Sequence, residues 1–170
     1  MKVTPLEITT PSEREICIVR SFAAPRALVY SAFTQPELVR RWLFGPDGWS
    51  FEVCDIDLRV GGNYRYLWRR ESDGKRMGAG GTFREIVPPL RVVSSERFDD
   101  PWYPGESINT LEFHELGPKL TRLVQTLLYE SESARDTVVR SPMEKGLSAG
   151  YARLDPILAQ LSTTPTSETP

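Results

Sequence analysis

The chain has 170 residues, 39% of them hydrophobic and 26% charged, with a net charge of −2. That length suits one domain with a real core, and a charge so close to zero provides no field to attract nucleic acid or anionic lipid. No apolar run approaches the ~18 residues of a membrane span, and MKVTPLEITT lacks the basic start and apolar centre of a secretory signal, so a cytoplasmic protein is expected.

Residues 1–14, with Pro5, Pro11 and scattered Thr, Ser and Glu, read as a flexible extended arm. From Glu15, alternation of Ile16, Ile18, Arg20 and Phe22 with Cys17, Val19 and Ser21 predicts a half-buried strand. Ala24-Pro25 opens a helix through Phe33; Gln35-Pro36 stops it and starts a short second one, Glu37 to Trp42. Strands are then predicted over Trp49–Leu58, Tyr64–Arg70, Met77–Val87 and Arg91–Phe98, separated by turns at Gly61-Gly62-Asn63, Ser72-Asp73-Gly74 and Pro88-Pro89. A loop, Asp99 to Gly105, leads into a hairpin of Ser107–Leu116 and Leu120–Tyr129 around Gly117-Pro118. Ser131 to Arg140 is polar with short helical potential.

Ser141 to Leu161 is the longest element. Met143, Leu147, Gly150, Leu154, Ile157 and Leu161 fall on one stripe of a helix, and Ser141-Pro142-Met143-Glu144 has the spacing of a capping box with Ser141 as N-cap. Pro156 should kink this helix or end it early. The tail from residue 162 has nothing apolar to bury and is expected to be disordered. The order β-α-α, six more strands, then a long helix predicts an α+β domain over residues 15–161, with a seven-stranded antiparallel sheet covered on one face by the last helix.

The runs FAAPRALVYSAFTQPEL (residues 22–38), Arg41-Trp42, Gly45-Pro46, Gly48-Trp49, DLRVGGNYR (57–65), GTFREI (81–86) and PPLRV (88–92) resemble, in that order, the family of the activator of Hsp90 ATPase (AHSA1-type), within the START/Bet v 1-like superfamily. The resemblance implies the helix-grip fold, a curved sheet around a long C-terminal helix with a cavity between them. It does not imply chaperone stimulation, because eukaryotic Hsp90 activators carry an additional N-terminal domain for which this chain has no room.

No Ser-His-Asp order, GxSxG, phosphate loop or HExxH is present, Cys17 and Cys54 stand apart from any metal-ligand spacing, and no cofactor or metal is expected. The weak catalytic candidates are Glu85 and His114; the lone histidine is more readily explained as an outward-facing or simply hydrogen-bonded strand residue. The aromatic residues say more, since small-molecule cavities are lined by such side chains with a few polar groups. Trp42, Trp68, Phe83, Met143, Leu147 and Tyr151 are the expected wall, Arg69, Glu85 and Gln125 the expected polar contacts, and Trp102 with Tyr103 the expected lid. The preferred reading is a protein that holds an apolar or aromatic small molecule without turnover. A cyclase or dehydratase-like enzyme and a chaperone-linked interaction protein are the alternatives, and a homodimer stays open.

Overall fold

Eight antiparallel strands form one curved sheet in the order β1-β2-β8-β7-β6-β5-β4-β3. The structure, a computed structural model, describes residues 3–163. The elements are β1 (Glu7–Ser12), β2 (Glu15–Phe22), α1 (Arg26–Thr34), α2 (Pro36–Val39), β3 (Trp49–Ile56), β4 (Asn63–Arg70), β5 (Arg76–Val87), β6 (Arg91–Phe98), β7 (Ser107–Gly117), β8 (Leu120–Leu128), α3 (Glu132–Val139) and α4 (Met143–Thr163). This is the expected α+β helix-grip architecture with one strand more than the seven predicted.

The additional strand corrects the reading of residues 1–14 as a flexible arm. Residues Glu7–Ser12 pair with β2 at Glu7↔Val19, Ile8↔Ile18 and Thr9↔Cys17. Five of its six residues are exposed, so the backbone ladder rather than a buried face holds it, and hydrophobic alternation has nothing to report there. The last helix departs from expectation twice. The Ser141 hydroxyl does not cap it but donates to the Val138 carbonyl at 2.5 Å, closing the end of α3, whose own N-cap Ser131 accepts from the Ala134 amide at 3.1 Å. Pro156 lies inside α4 without ending it. The carbonyl it orphans belongs to exposed Ala152, where water can satisfy it. Leu154, Ile157 and Leu158, all buried, hold the turns on either side. Ser162 and Thr163 complete this helix; the remainder of the tail expected to be disordered lies outside the described residues.

The two halves of α4 do different work. Toward its C-terminus Leu154, Ile157 and Leu158 pack with Phe22, Val29, Tyr30, Phe113 and Leu123 in a continuous core. Arg20 pins this half: it forms a bidentate pair with Asp155 at 2.7 and 2.6 Å, with its guanidinium 4.6 Å from the Phe22 ring centroid and 5.3 Å from that of Tyr151. Toward its N-terminus Met143 and Leu147 are only partly buried, because the sheet curves away beneath them. Trp42 separates the two regions. It is 2% exposed, stands 4.8 Å from Phe33 and 5.9 Å from Tyr151 between ring centroids, and its indole donates to the Ala32 carbonyl at 3.0 Å. Gly150 makes this approach possible, since a Cβ there would already meet the Trp42 ring and carbonyl at 3.4 Å.

Candidate ligand cavity

Between the sheet and the first half of α4 lies a cavity of about 850 Å3. Side chains that alternate inward along five strands build its floor: Tyr64, Tyr66 and Trp68 on β4, Phe83 on β5, Val92, Ser94, Glu96 and Phe98 on β6, Asn109 and Leu111 on β7, Gln125 and Leu127 on β8. Met143, Gly146, Leu147, Gly150 and Tyr151 form the roof. Exposed members of the lining such as Lys75, Arg76, Met77, Asp99, Asp100 and Trp102 put the mouth beside the β4–β5 turn and the loop after β6.

Period-two alternation fixes which side chains point inward, and small residues let the strands bend around the space. A Cβ on Gly81 would collide with the Ser95 carbonyl and crowd the Tyr64 ring. That same carbonyl accepts from the Tyr64 hydroxyl at 3.0 Å, so the close approach of β5 to β6 also fixes a cavity phenol. The Trp68 indole donates to the Leu43 carbonyl at 2.8 Å, tying the loop after α2 to the rim. Gln125 donates to Asn109 at 2.9 Å across β7 and β8.

Of the residues singled out from the sequence, the cavity brings together Trp42, Trp68, Phe83, Gln125, Met143, Leu147 and Tyr151, along with Trp102 and Tyr103. Tyr103 is built into the wall rather than onto a lid: it is 5% exposed, stands edge-on to Tyr129 at 5.3 Å and lies with its hydroxyl 3.4 Å from Ser107 Oγ. Trp102 is 41% exposed at the rim. Three candidates fall elsewhere. Arg69 is exposed because it is out of step with Trp68; Glu85, past an irregularity in the β5–β6 pairing, is exposed beside Arg91 at 3.2 Å; His114 is exposed opposite Arg122.

Glu96 was absent from that set, and among the described residues it is the one acid deep in the cavity. Its carboxyl has no hydrogen bond or ion pair among the described residues, and burial pushes its pKa up to about 7. The sequence carried a usable indication: Glu96 is in step with Val92 and Phe98 on a strand whose inward face is otherwise apolar or hydroxylic. The other cavity acids are accounted for, Asp99 by a bidentate pair with Arg65 at 2.5 and 2.6 Å, which holds its carboxyl below the usual range, and Asp100 by solvent.

The Tyr151 hydroxyl is buried without a partner among the described residues, and burial drives its pKa well above the ordinary phenol value. A buried hydroxyl with no bond carries a penalty of roughly 1–3 kcal/mol, so Tyr151→Phe is expected to raise the melting temperature of the unliganded protein; a fall would mean that the hydroxyl is bonded.

The chain matches, over residues 23–159, the family model described as activator of Hsp90 ATPase homolog 1-like protein. No curated protein matches it. Among solved structures, a protein of Rhodobacter sphaeroides is 30% identical, covering 91% of this chain and 98% of its own, with a TM-score of 0.85. An Hsp90 activator of Plasmodium falciparum, at 22% identity, covers 86% of this chain and 96% of its own with a TM-score of 0.64. The AHSA1-like protein of Aeromonas hydrophila, at 18%, covers 91% and 99% with a TM-score of 0.69; these last two likenesses show the fold. With the family model spanning most of the sequence and the helix-grip sheet around α4 in place, the chain belongs to the family of activator of Hsp90 ATPase homolog 1-like proteins.

Proposed function

We propose that this protein binds an apolar or aromatic small molecule in the cavity between the sheet and α4. The observation that carries the reading is the cavity itself: about 850 Å3 left open in a chain with ample aromatic side chains to fill it, within the range of ~300–1,000 Å3 typical of small-molecule sites. A protein working only through its outer surface has no use for such a space. The lyase reading loses Glu85 and His114 to the outer surface; one observation favours it, since Glu96 offers a carboxyl inside the cavity that can carry a proton near neutral pH. The Plasmodium relative is an Hsp90 activator, and a chaperone partner for this chain rests on that relative alone.

Gly146 provides the test. It lines the cavity, and a Cβ built there meets nothing within 4 Å, so Gly146→Phe should fold, gain helix propensity of about 0.5 kcal/mol and place its ring in the space. In a thermal-shift screen of fused-ring aromatics and medium-chain alkanols, wild type is expected to give saturable shifts that weaken about tenfold or more in Gly146→Phe. Equal shifts in the two proteins, or none in wild type, would contradict the reading.

A further inference from the structure

Glu96 sits in a particular setting. Across the ladder its Cα partner is Ser107, whose hydroxyl lies 3.4 Å from that of Tyr103. On its own strand the neighbouring Ser95 carbonyl accepts from Tyr64. Tyr64 is 5.0 Å from Tyr66 and Tyr103 is 5.3 Å from Tyr129 between ring centroids, and all four phenols lie close enough to feel the Glu96 charge. The two cations of the lining are elsewhere: Lys75 is in the exposed β4–β5 turn, and Arg76, also exposed, is bound to Glu52 at 2.6 Å. Around Glu96 the interior therefore sets four phenol rings beside one carboxyl, with no interior cation among the described residues.

Resting on the binding reading above, we propose that the ligand carries a protonated amine on an apolar body, with the ammonium group held by Glu96 among Tyr64, Tyr66, Tyr103 and Tyr129. A buried carboxylate without a counter-ion is costly. A cation removes that cost, and phenol rings add attraction through their quadrupoles. Neutral ligands of the same shape gain neither, so the site selects for charge.

Protonation of Glu96 gives the selection a pH dependence. The groups that face it are Tyr64 and Tyr66 from β4, Tyr103 from the loop after β6, and Tyr129 after β8; each phenol is pushed well above its ordinary range by burial, that of Tyr103 to about 12. At the mouth, the bond to Arg65 holds the Asp99 carboxyl below its usual range, and Asp100 is exposed to solvent. α4 presents only Met143, Gly146, Leu147, Gly150 and Tyr151, of which the Tyr151 phenol is likewise raised. Glu96 is thus the interior group whose charge changes near neutrality, and amine preference should appear as it ionises.

The test compares 4-phenylbutylamine with 4-phenylbutan-1-ol by calorimetric titration into wild type at pH 5 and 8.5 and into Glu96→Gln at pH 8.5. The amine is expected to bind wild type about tenfold or more tighter than the alcohol at pH 8.5, and to lose most of that preference at pH 5 and in Glu96→Gln. The pH comparison on wild type alone decides the matter should the variant not fold. Alcohol binding with no amine preference overturns the inference and leaves the cavity reading intact; binding of neither probe by folded wild type overturns both.

Discussion

Trp42→Ala is expected to destabilise the protein by about 3–5 kcal/mol, as for other fully buried aromatic truncations. The indole touches the elements that meet at the boundary between core and cavity: Phe33 from α1, Tyr151 and Gly150 from α4, and the Ala32 carbonyl through its N–H. Its loss would join the solid core to the cavity, a void that helix and sheet cannot collapse around without giving up the Arg20–Asp155 clamp. Denaturant unfolding measures the cost directly. A loss under about 1 kcal/mol would show that the site repacks and that Trp42 does not brace the cavity.

The second large effect concerns Glu96. Its carboxyl, ordinarily at 4.5, is raised to about 7 in the folded protein by burial. Below pH 4.5 it is protonated in folded and unfolded chains alike and contributes no pH dependence. As pH rises the unfolded chain releases this proton first, so the unfolded state gains, and the full loss is reached above pH 7. The unliganded protein is expected to lose about 3 kcal/mol through this group across that window, and Glu96→Gln to recover it at pH 8 while changing little at pH 4.5. Asp73, Asp99 and Glu52 act in the opposite sense, because Arg70, Arg65 and Arg76 hold their carboxyls below the usual range; the difference between wild type and Glu96→Gln cancels them. Denaturant titrations of both proteins at pH 4.5, 6 and 8 check this, and a difference that does not grow with pH would contradict it.

Much of this architecture was legible in the chain because its elements obey simple periods. Alternating β-branched and aromatic residues marked seven strands, and the prolines at 25 and 36 punctuated the two short helices, with Gln35 extended between them. The strand Glu7–Ser12 was hidden because it buries almost nothing. Ser141 misled because its spacing to Glu144 imitates a cap while the serine hydroxyl is taken by the preceding helix. In the candidate site, aromatic residues were found by kind and by parity, whereas Arg69 and Glu85 failed by parity: the first is out of step with Trp68, and the irregularity between Phe83 and Glu85 turns the second outward. Glu96 escaped notice because acidic residues on strands usually face solvent, and its inward direction follows only from its neighbours at Val92 and Phe98.

The most direct test of the cavity as a binding site is to incubate purified wild type and Gly146→Phe in cell extract, recover both, and compare native with denaturing mass spectra. Wild type should retain a discrete small molecule that is lost on denaturation and absent from Gly146→Phe. Recovery of both proteins at their bare masses, with no thermal shift across the ligand panel, would contradict the account.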